Sequence, residues 1–212
     1  SFNQLEQFDV NALKWTKLQT LSLAHNKFTR LDTMSIWTHG NIGHLDISDN
    51  VGLILPRPET NIEMSSLRLL SMSNNTASIN MQFDYKRFPS LLFLFLNGNY
   101  LINFPDESLK DNIVYLGVAR CHLKSLPSYL SEFNNLRYLD VRDNNITAVN
   151  SDLKILLNKN QAESHFSGNV ACNTDDTLDC KPLCSKYCWS HNGFKNGICD
   201  VSCNTKECGY DG

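Results

Sequence analysis

The chain has 212 residues, with 19 Lys and Arg against 22 Asp and Glu for a formal net charge of −3. So even a balance gives no electrostatic footprint for nucleic acid, and no apolar run is long enough to span a bilayer as a helix. An apolar content of 42% is ample for a buried core.

From the first residues onward, asparagine returns at a nearly fixed interval. Asn3, Asn26, Asn50, Asn75, Asn99, Cys121, Asn144 and Asn169 follow one another at steps of 22 to 25 residues. Most are preceded by the phrase L-x-x-L-x-L-x-x, as in Leu18, Leu21 and Leu23 before Asn26. The phrase predicts a short strand with its apolar positions inward and the residues between them outward. The inward sets are Ile42, Leu45, Ile47; Leu67, Leu70, Met72; Leu91, Leu94, Leu96; Ile113, Leu116, Val118; and Leu136, Leu139, Val141. Each asparagine then falls in the turn leaving its strand, where a buried amide can bond the backbone of adjacent repeats and form a ladder. Cys121 takes one rung as a small buried residue with a weak S–H donor.

Period and phrase together resemble the leucine-rich repeat (LRR), which implies a stack of repeats sharing one elongated core. The fold class expected is α/β: a leucine-rich-repeat solenoid over residues 1–170, with parallel strands on a concave face and an irregular convex side. An apolar residue closes each turn after the asparagine (Leu5, Phe28, Leu53, Leu101, Leu123, Ile146). Leu55-Pro56, Phe104-Pro105 and Leu126-Pro127 suit extended return segments and oppose long convex helices. Leu153, Leu156 and Leu157 stand at helical spacing and predict a helix over 151–162, before a degenerate last strand ending at Phe166-Ser167-Gly168-Asn169. The opening Ser1 to Leu5 reads as the tail of a repeat phrase, so the chain is expected to be an excerpt of a longer protein.

The outward positions predict where a partner binds. In successive repeats they are Thr20, His44, Leu69, Phe93, Tyr115 and Tyr138, then Ser22, Asp46, Ser71, Phe95, Gly117 and Asp140. Phe93, Phe95, Tyr115 and Tyr138 therefore come side by side, with Arg142 near the same rim, and aromatic and arginine side chains are common anchors of protein interfaces. Asp46, Ser48, Asp49, Ser71 and Ser73 make the earlier repeats more polar. Two N-x-S/T sequons occur, at Asn74 and Asn145, and nominate glycosylation sites.

Seven of the eight cysteines lie between Cys172 and Cys208, a density that reads as an oxidised module of a secreted or cell-surface protein. Cys172 and Cys180 flank residues 173–179 directly after the last repeat and are expected in a cap or linker over 171–183; their simplest pairing is with each other, though exchange with Cys184 or Cys188 stays open. Beyond them Cys184-x3-Cys188-x10-Cys199-x3-Cys203-x4-Cys208 offers no C-x2-C pair of the kind structural zinc favours. Oxygen donors are plentiful there instead, and suit calcium. Asn196-Gly197-Ile198-Cys199-Asp200, Cys203-Asn204 and Cys208-Gly209-Tyr210-Asp211-Gly212 resemble a Lin-12/Notch repeat (LNR), a small disulfide-rich, calcium-binding module, here truncated over 184–212. The resemblance implies bridges Cys184–Cys208 and Cys188–Cys203, with Cys199 pairing to a sixth cysteine further along. It also implies Asn196, Asp200 and Asp211 as calcium ligands, and a structural role for the ion.

No catalytic constellation emerges: the six histidines (His25, His39, His44, His122, His165, His191) are scattered, without H-E-x-x-H or a phosphate loop. The function expected is extracellular recognition of a protein or peptide on the concave face. The alternatives are a structural or autoinhibitory ectodomain segment, or the ectodomain of a receptor kinase whose catalytic domain lies elsewhere.

Overall fold

A computed structural model describes residues 3–6, 17–29, 41–53, 63–75, 78–79, 85–101 and 103–181. The chain forms two compact units, Ser1–Asp179 and Cys180–Gly212. The first is built on a parallel sheet of three-residue strands. In chain order these are β1 (Thr20–Ser22), β2 (His44–Asp46), β3 (Leu69–Ser71), β5 (Phe93–Phe95), β7 (Tyr115–Gly117), β8 (Tyr138–Asp140) and β9 (Glu163–His165). They lie side by side in the order β1-β2-β3-β5-β7-β8-β9, each paired to the next in equal register. A second, two-stranded parallel sheet joins β4 (Ser78–Ile79) to β6 (Tyr100–Leu101). The solenoid is therefore present as expected.

Why the strands are so short is visible in their exits. The residue before each ladder position adopts positive φ: His25, Asp49, Asn74, Gly98, Arg120, Asp143 and Gly168 all fall between 53° and 77°. Left-handed backbone turns the chain out of the sheet at the same point of every repeat. Gly98 and Gly168 are needed for a second reason: a Cβ on either would run into the side-chain oxygen of Asn74 or Asp143, one repeat back.

The ladder itself is continuous. Asn50 donates to the carbonyls of Leu23, Ile47 and Ser48 and accepts from Phe28 N at 3.2 Å. Asn75 accepts from Asn50 N at 2.8 Å and Asn99 from Asn75 N at 2.9 Å. Asn144 accepts from Cys121 N at 2.9 Å, and Asn169 from Ile146 N at 3.0 Å. Cys121 fills its rung by donating its thiol to Leu96 O at 3.2 Å and Ala119 O at 3.3 Å. Burial pushes that thiol up to about 12, so it stays protonated and inert. Asn3 departs from expectation: it is exposed.

All the expected inward positions from Ile42 to Val141 are buried. Phe28, Leu53, Leu101, Leu123 and Ile146 are buried as turn closers, whereas Leu5 is exposed. On the return side the described repeats use short 3-10 turns, Tyr85–Arg87, Glu107–Leu109 and Ser128–Glu132, in keeping with the prolines at 105 and 127; Leu55-Pro56 lies outside the described residues. One true helix, α1 (Ser151–Lys159), replaces such a turn in the last repeat. Asn150 caps it by accepting from Leu153 N at 2.7 Å, and Leu153, Leu156 and Leu157 face the core.

Candidate functional site

The face of the sheet turned away from the core changes character along the stack. At the β1–β3 end it is polar: Thr20 and His44 are exposed, and Asp46 accepts from Ser48 Oγ at 2.6 Å and Ser22 Oγ at 3.5 Å. From β5 onward equal register converts one aromatic per repeat into a contiguous stripe. Phe93, Tyr115 and Tyr138 are direct neighbours across β5, β7 and β8, followed by Glu163 on β9. Tyr115 and Tyr138 stack at 4.1 Å with planes 9° apart, and the Tyr138 ring meets His165 at 5.3 Å. Such contacts contribute roughly 0.5–1.5 kcal/mol each beyond buried area.

Phe95 reaches Tyr115 diagonally at 4.7 Å, closer than the directly paired Phe93 at 6.4 Å. Its own lateral neighbour is Gly117, which has no side chain to offer. The space above Gly117 belongs to Asn97: a Cβ there would lie 2.9 Å from Asn97 Nδ2 and 3.0 Å from Oδ1. That carboxamide is held in place by accepting from Ala119 N at 2.8 Å.

The five residues expected to anchor a partner thus divide. Phe93, Phe95 and Tyr115 are half-buried and line the outward face. Tyr138 and Arg142 correct the expectation of exposure, at 2% and 8% accessible. Tyr138 is enclosed between Tyr115 and His165. Arg142 folds back onto Asp140, Nε to Oδ1 at 2.8 Å and Nη2 to Oδ2 at 2.7 Å. Burial works to lower the guanidinium pKa, but the bonds and charge of Asp140 outweigh it, and the net direction is upward. Burial first, then the neighbouring Tyr138 or Asp140 charge, raises the phenols of Tyr115 and Tyr138, so both remain neutral hydroxyls. His165 Nε2 pairs with Glu163 Oε1 at 2.7 Å. Asp140 and Arg142 thus pair with each other, and Glu163 is tied to His165 by a hydrogen bond.

Three features escaped the sequence reading. The left-handed column was signalled by Asn, Asp, Gly and His recurring just before the ladder residue. A second set of asparagines ties repeats together ahead of the strands: Asn112 donates to Pro89 O at 2.8 Å, Asn135 to Asp111 O, and Asn160 to Asn134 O at 3.0 Å. The Asp140–Arg142 pair is adjacent in sequence, yet spacing alone does not show that both are buried.

The sequence comparisons add to this geometry. An LRR protein of Leptospira interrogans superimposes with a TM-score of 0.53 at 22% identity, covering 70% of this chain and 43% of that one, which supports the fold. Residues 179–212 match the Notch LNR domain family. The chain is a leucine-rich-repeat solenoid followed by an LNR domain. Toll-like receptor 2 of Macaca mulatta is 28% identical over 153 residues, 62% of this chain and 19% of its own length. The transforming growth factor beta activator LRRC33 of Danio rerio is 31% identical over 120 residues, 56% of this chain and 17% of its own length. The chain thus spans about a fifth of the curated relatives it matches.

The LNR domain match begins at residue 179, beside the division between the two compact units at Asp179 and Cys180. Cys172 and Cys180 are both disulfide-bonded. Cys184, Cys188, Cys199, Cys203 and Cys208, with the expected calcium ligands Asn196, Asp200 and Asp211, lie outside the described residues. Among the described residues no group of three or more His, Cys, Asp or Glu could hold a metal, and no helix is long and apolar enough to cross a membrane. Of the two sequons, Asn145 is exposed, while Asn74 is half-buried and donates to Asp49 Oδ1 at 3.1 Å.

Proposed function

We propose that this chain is an extracellular recognition segment that docks a protein or peptide on the outward face of its sheet, with Phe93, Phe95 and Tyr115 as contact residues. Tyr138 and Arg142, both buried, brace that surface from the neighbouring strand β8 and its exit. The observation that carries this reading is the aromatic stripe itself: neutral, contiguous over three strands, backed by the stacked Tyr115–Tyr138 pair and by charges that neutralise one another. Prepositioned rings lose little conformational freedom on binding, and so favour association over chemistry. Relatives named as a receptor and as a growth-factor activator support the extracellular setting, as does the disulfide-bonded boundary of the LNR domain.

Within the LNR domain we assign Asn196, Asp200 and Asp211 as calcium ligands. All three offer hard oxygen donors, which suits calcium and not zinc. A module of this size builds no core of its own, so bridges among Cys184, Cys188, Cys199, Cys203 and Cys208 would set its shape. Cap, linker and module keep the expected limits of 171–183 and 184–212 in this reading.

A displayed library of secreted-protein segments tests the docking face. Binders selected on the wild-type chain should lose at least tenfold in affinity against Phe95→Ala/Tyr115→Ala, a change of about 1.4 kcal/mol or more. Binders that all tolerate the double substitution, while it unfolds no more easily than the parent, would sink the proposal.

A further inference from the structure

The two sequons are equivalent in sequence but not in the fold. Asn74 occupies the left-handed column, at φ 56°, with its carboxamide clamped between repeats. Its Nδ2 donates to Asp49 Oδ1 of the repeat before at 3.1 Å. Its Oδ1 lies where a Cβ on Gly98, in the repeat after, would stand. The amide nitrogen is thus tied to the repeat before, the oxygen lies close to the repeat after, and the residue beside it, Asn75, is a buried rung of the ladder. Asn145 sits two positions later in its own repeat, directly after the rung Asn144 instead of directly before it. Its backbone N–H is satisfied by Leu123 O at 2.8 Å, and its side chain is exposed beside an exposed Thr147.

Resting on the extracellular reading, we infer that Asn145 is the N-glycosylation site of the folded protein and that Asn74 is not modified. A sugar on an Asn nitrogen replaces one of its two hydrogens and adds a bulky ring next to it. At Asn74 the nitrogen that would carry the ring is the one that holds Asp49 Oδ1, so the ring must be built against the preceding repeat while the amide oxygen lies close to Gly98. Chains modified there fold at the expense of the cross-repeat contact, and are depleted from secreted material. At Asn145 no such contact is lost. The phrase position of Asn145 is that of Tyr100 and His122, whose rings meet at 5.3 Å just beyond the ladder turn, with Tyr100 on β6 of the second sheet. The glycan therefore belongs past that turn and not to the strand positions of Phe93, Phe95 and Tyr115.

The test directs the full chain into the secretory pathway of cultured eukaryotic cells with an added signal peptide. Secreted protein is deglycosylated by peptide-N-glycosidase in heavy-oxygen water and mapped by mass spectrometry. Heavy Asp at 145 with unmodified Asn at 74 is expected; Asn145→Gln should raise gel mobility by one glycan and Asn74→Gln should leave it unchanged. Substantial occupancy of Asn74, or an unmodified Asn145, overturns the assignment. The same peptides report the LNR cysteines: reduced thiols there would count against the extracellular reading itself, independently of the two acceptor sites.

Discussion

Replacing Asn144 by Ala should be the most damaging polar substitution in the solenoid. Its Nδ2 donates to Val118 O at 2.9 Å, Val141 O at 2.8 Å and Arg142 O at 3.2 Å. Its Oδ1 accepts from Cys121 N at 2.9 Å and Leu123 N at 3.0 Å. The side chain is 4% accessible, so water cannot replace these partners. Two buried N–H groups left bare cost roughly 1–3 kcal/mol each, which puts the loss at about 4 kcal/mol. That is a large share of the roughly 5–15 kcal/mol a folded domain has available. Urea unfolding followed by far-ultraviolet circular dichroism reads this as a lower midpoint. Asn144→Asp keeps the shape but removes the donor, so it should also cost several kcal/mol and exclude a mere packing defect. Asn145→Gln, one residue away and exposed, should stay within about 0.5 kcal/mol. If Asn144→Ala costs no more than Asn145→Gln, the ladder is not what couples the repeats.

Other substitutions probe other links. Gly117→Ala pushes a methyl against the Asn97 amide and should destabilise by about 1–3 kcal/mol; the companion Gly117→Ala/Asn97→Ala should recover part of that loss in the same unfolding assay. Cys121, with its thiol pushed up to about 12, should resist alkylation at pH 8 in the native protein and react only once denatured, as mass spectrometry of labelled peptides would show. Lys154 holds α1 to the cap through Asp175 at 2.8 Å, and that bond, with a second from Thr177, depresses the Asp175 carboxyl. A depressed carboxyl stabilises above its unfolded pKa and loses that contribution as pH falls through the folded value. The melting-temperature gap between wild type and Lys154→Met should therefore be present at neutral pH and close below the usual carboxylate range; a gap that persists there would show packing, not charge, at work.

The fold was legible because its signal is repeated. One Leu-x-Leu-x-x-Asn phrase is weak evidence of anything, but six variants of it in register, from the one before Asn26 to the one before Asn144, place strands, inward residues and ladder with little freedom left. The α1 helix was equally readable, since three leucines at helical spacing with no proline leave few alternatives. Exposure on the outward face was less legible. Tyr138 and Tyr115 hold the same phrase position and both lie between rings, and only the fold reveals that Tyr138 is buried while Tyr115 keeps part of its surface accessible. Arg142 looked like a free anchor because its partner, Asp140, shares its strand exit and local spacing does not report burial. Asn74 and Asn145 carry the same three-residue signal, and what separates them is a two-position offset: one precedes its rung and the other follows it.

That offset logic also bounds the proposed docking surface. Parallel strands are spaced by about 4.8 Å, so the row from Phe93 through Tyr115 to the buried Tyr138 spans two gaps, about 10 Å. Upstream the row turns polar at His44 and downstream it ends at Glu163, which is engaged by His165. A helix with its side chains is roughly 10–12 Å across, and an extended segment narrower still. The stripe is therefore matched to one such element lying along the strands, not to a broad globular face. Because Asp140 and Arg142 neutralise each other and Glu163 is hydrogen-bonded to His165, selectivity would come from ring shape and the Tyr115 hydroxyl rather than from charge. Binding to this face should then weaken little between low and high salt, whereas a partner steered by charge would lose affinity steeply.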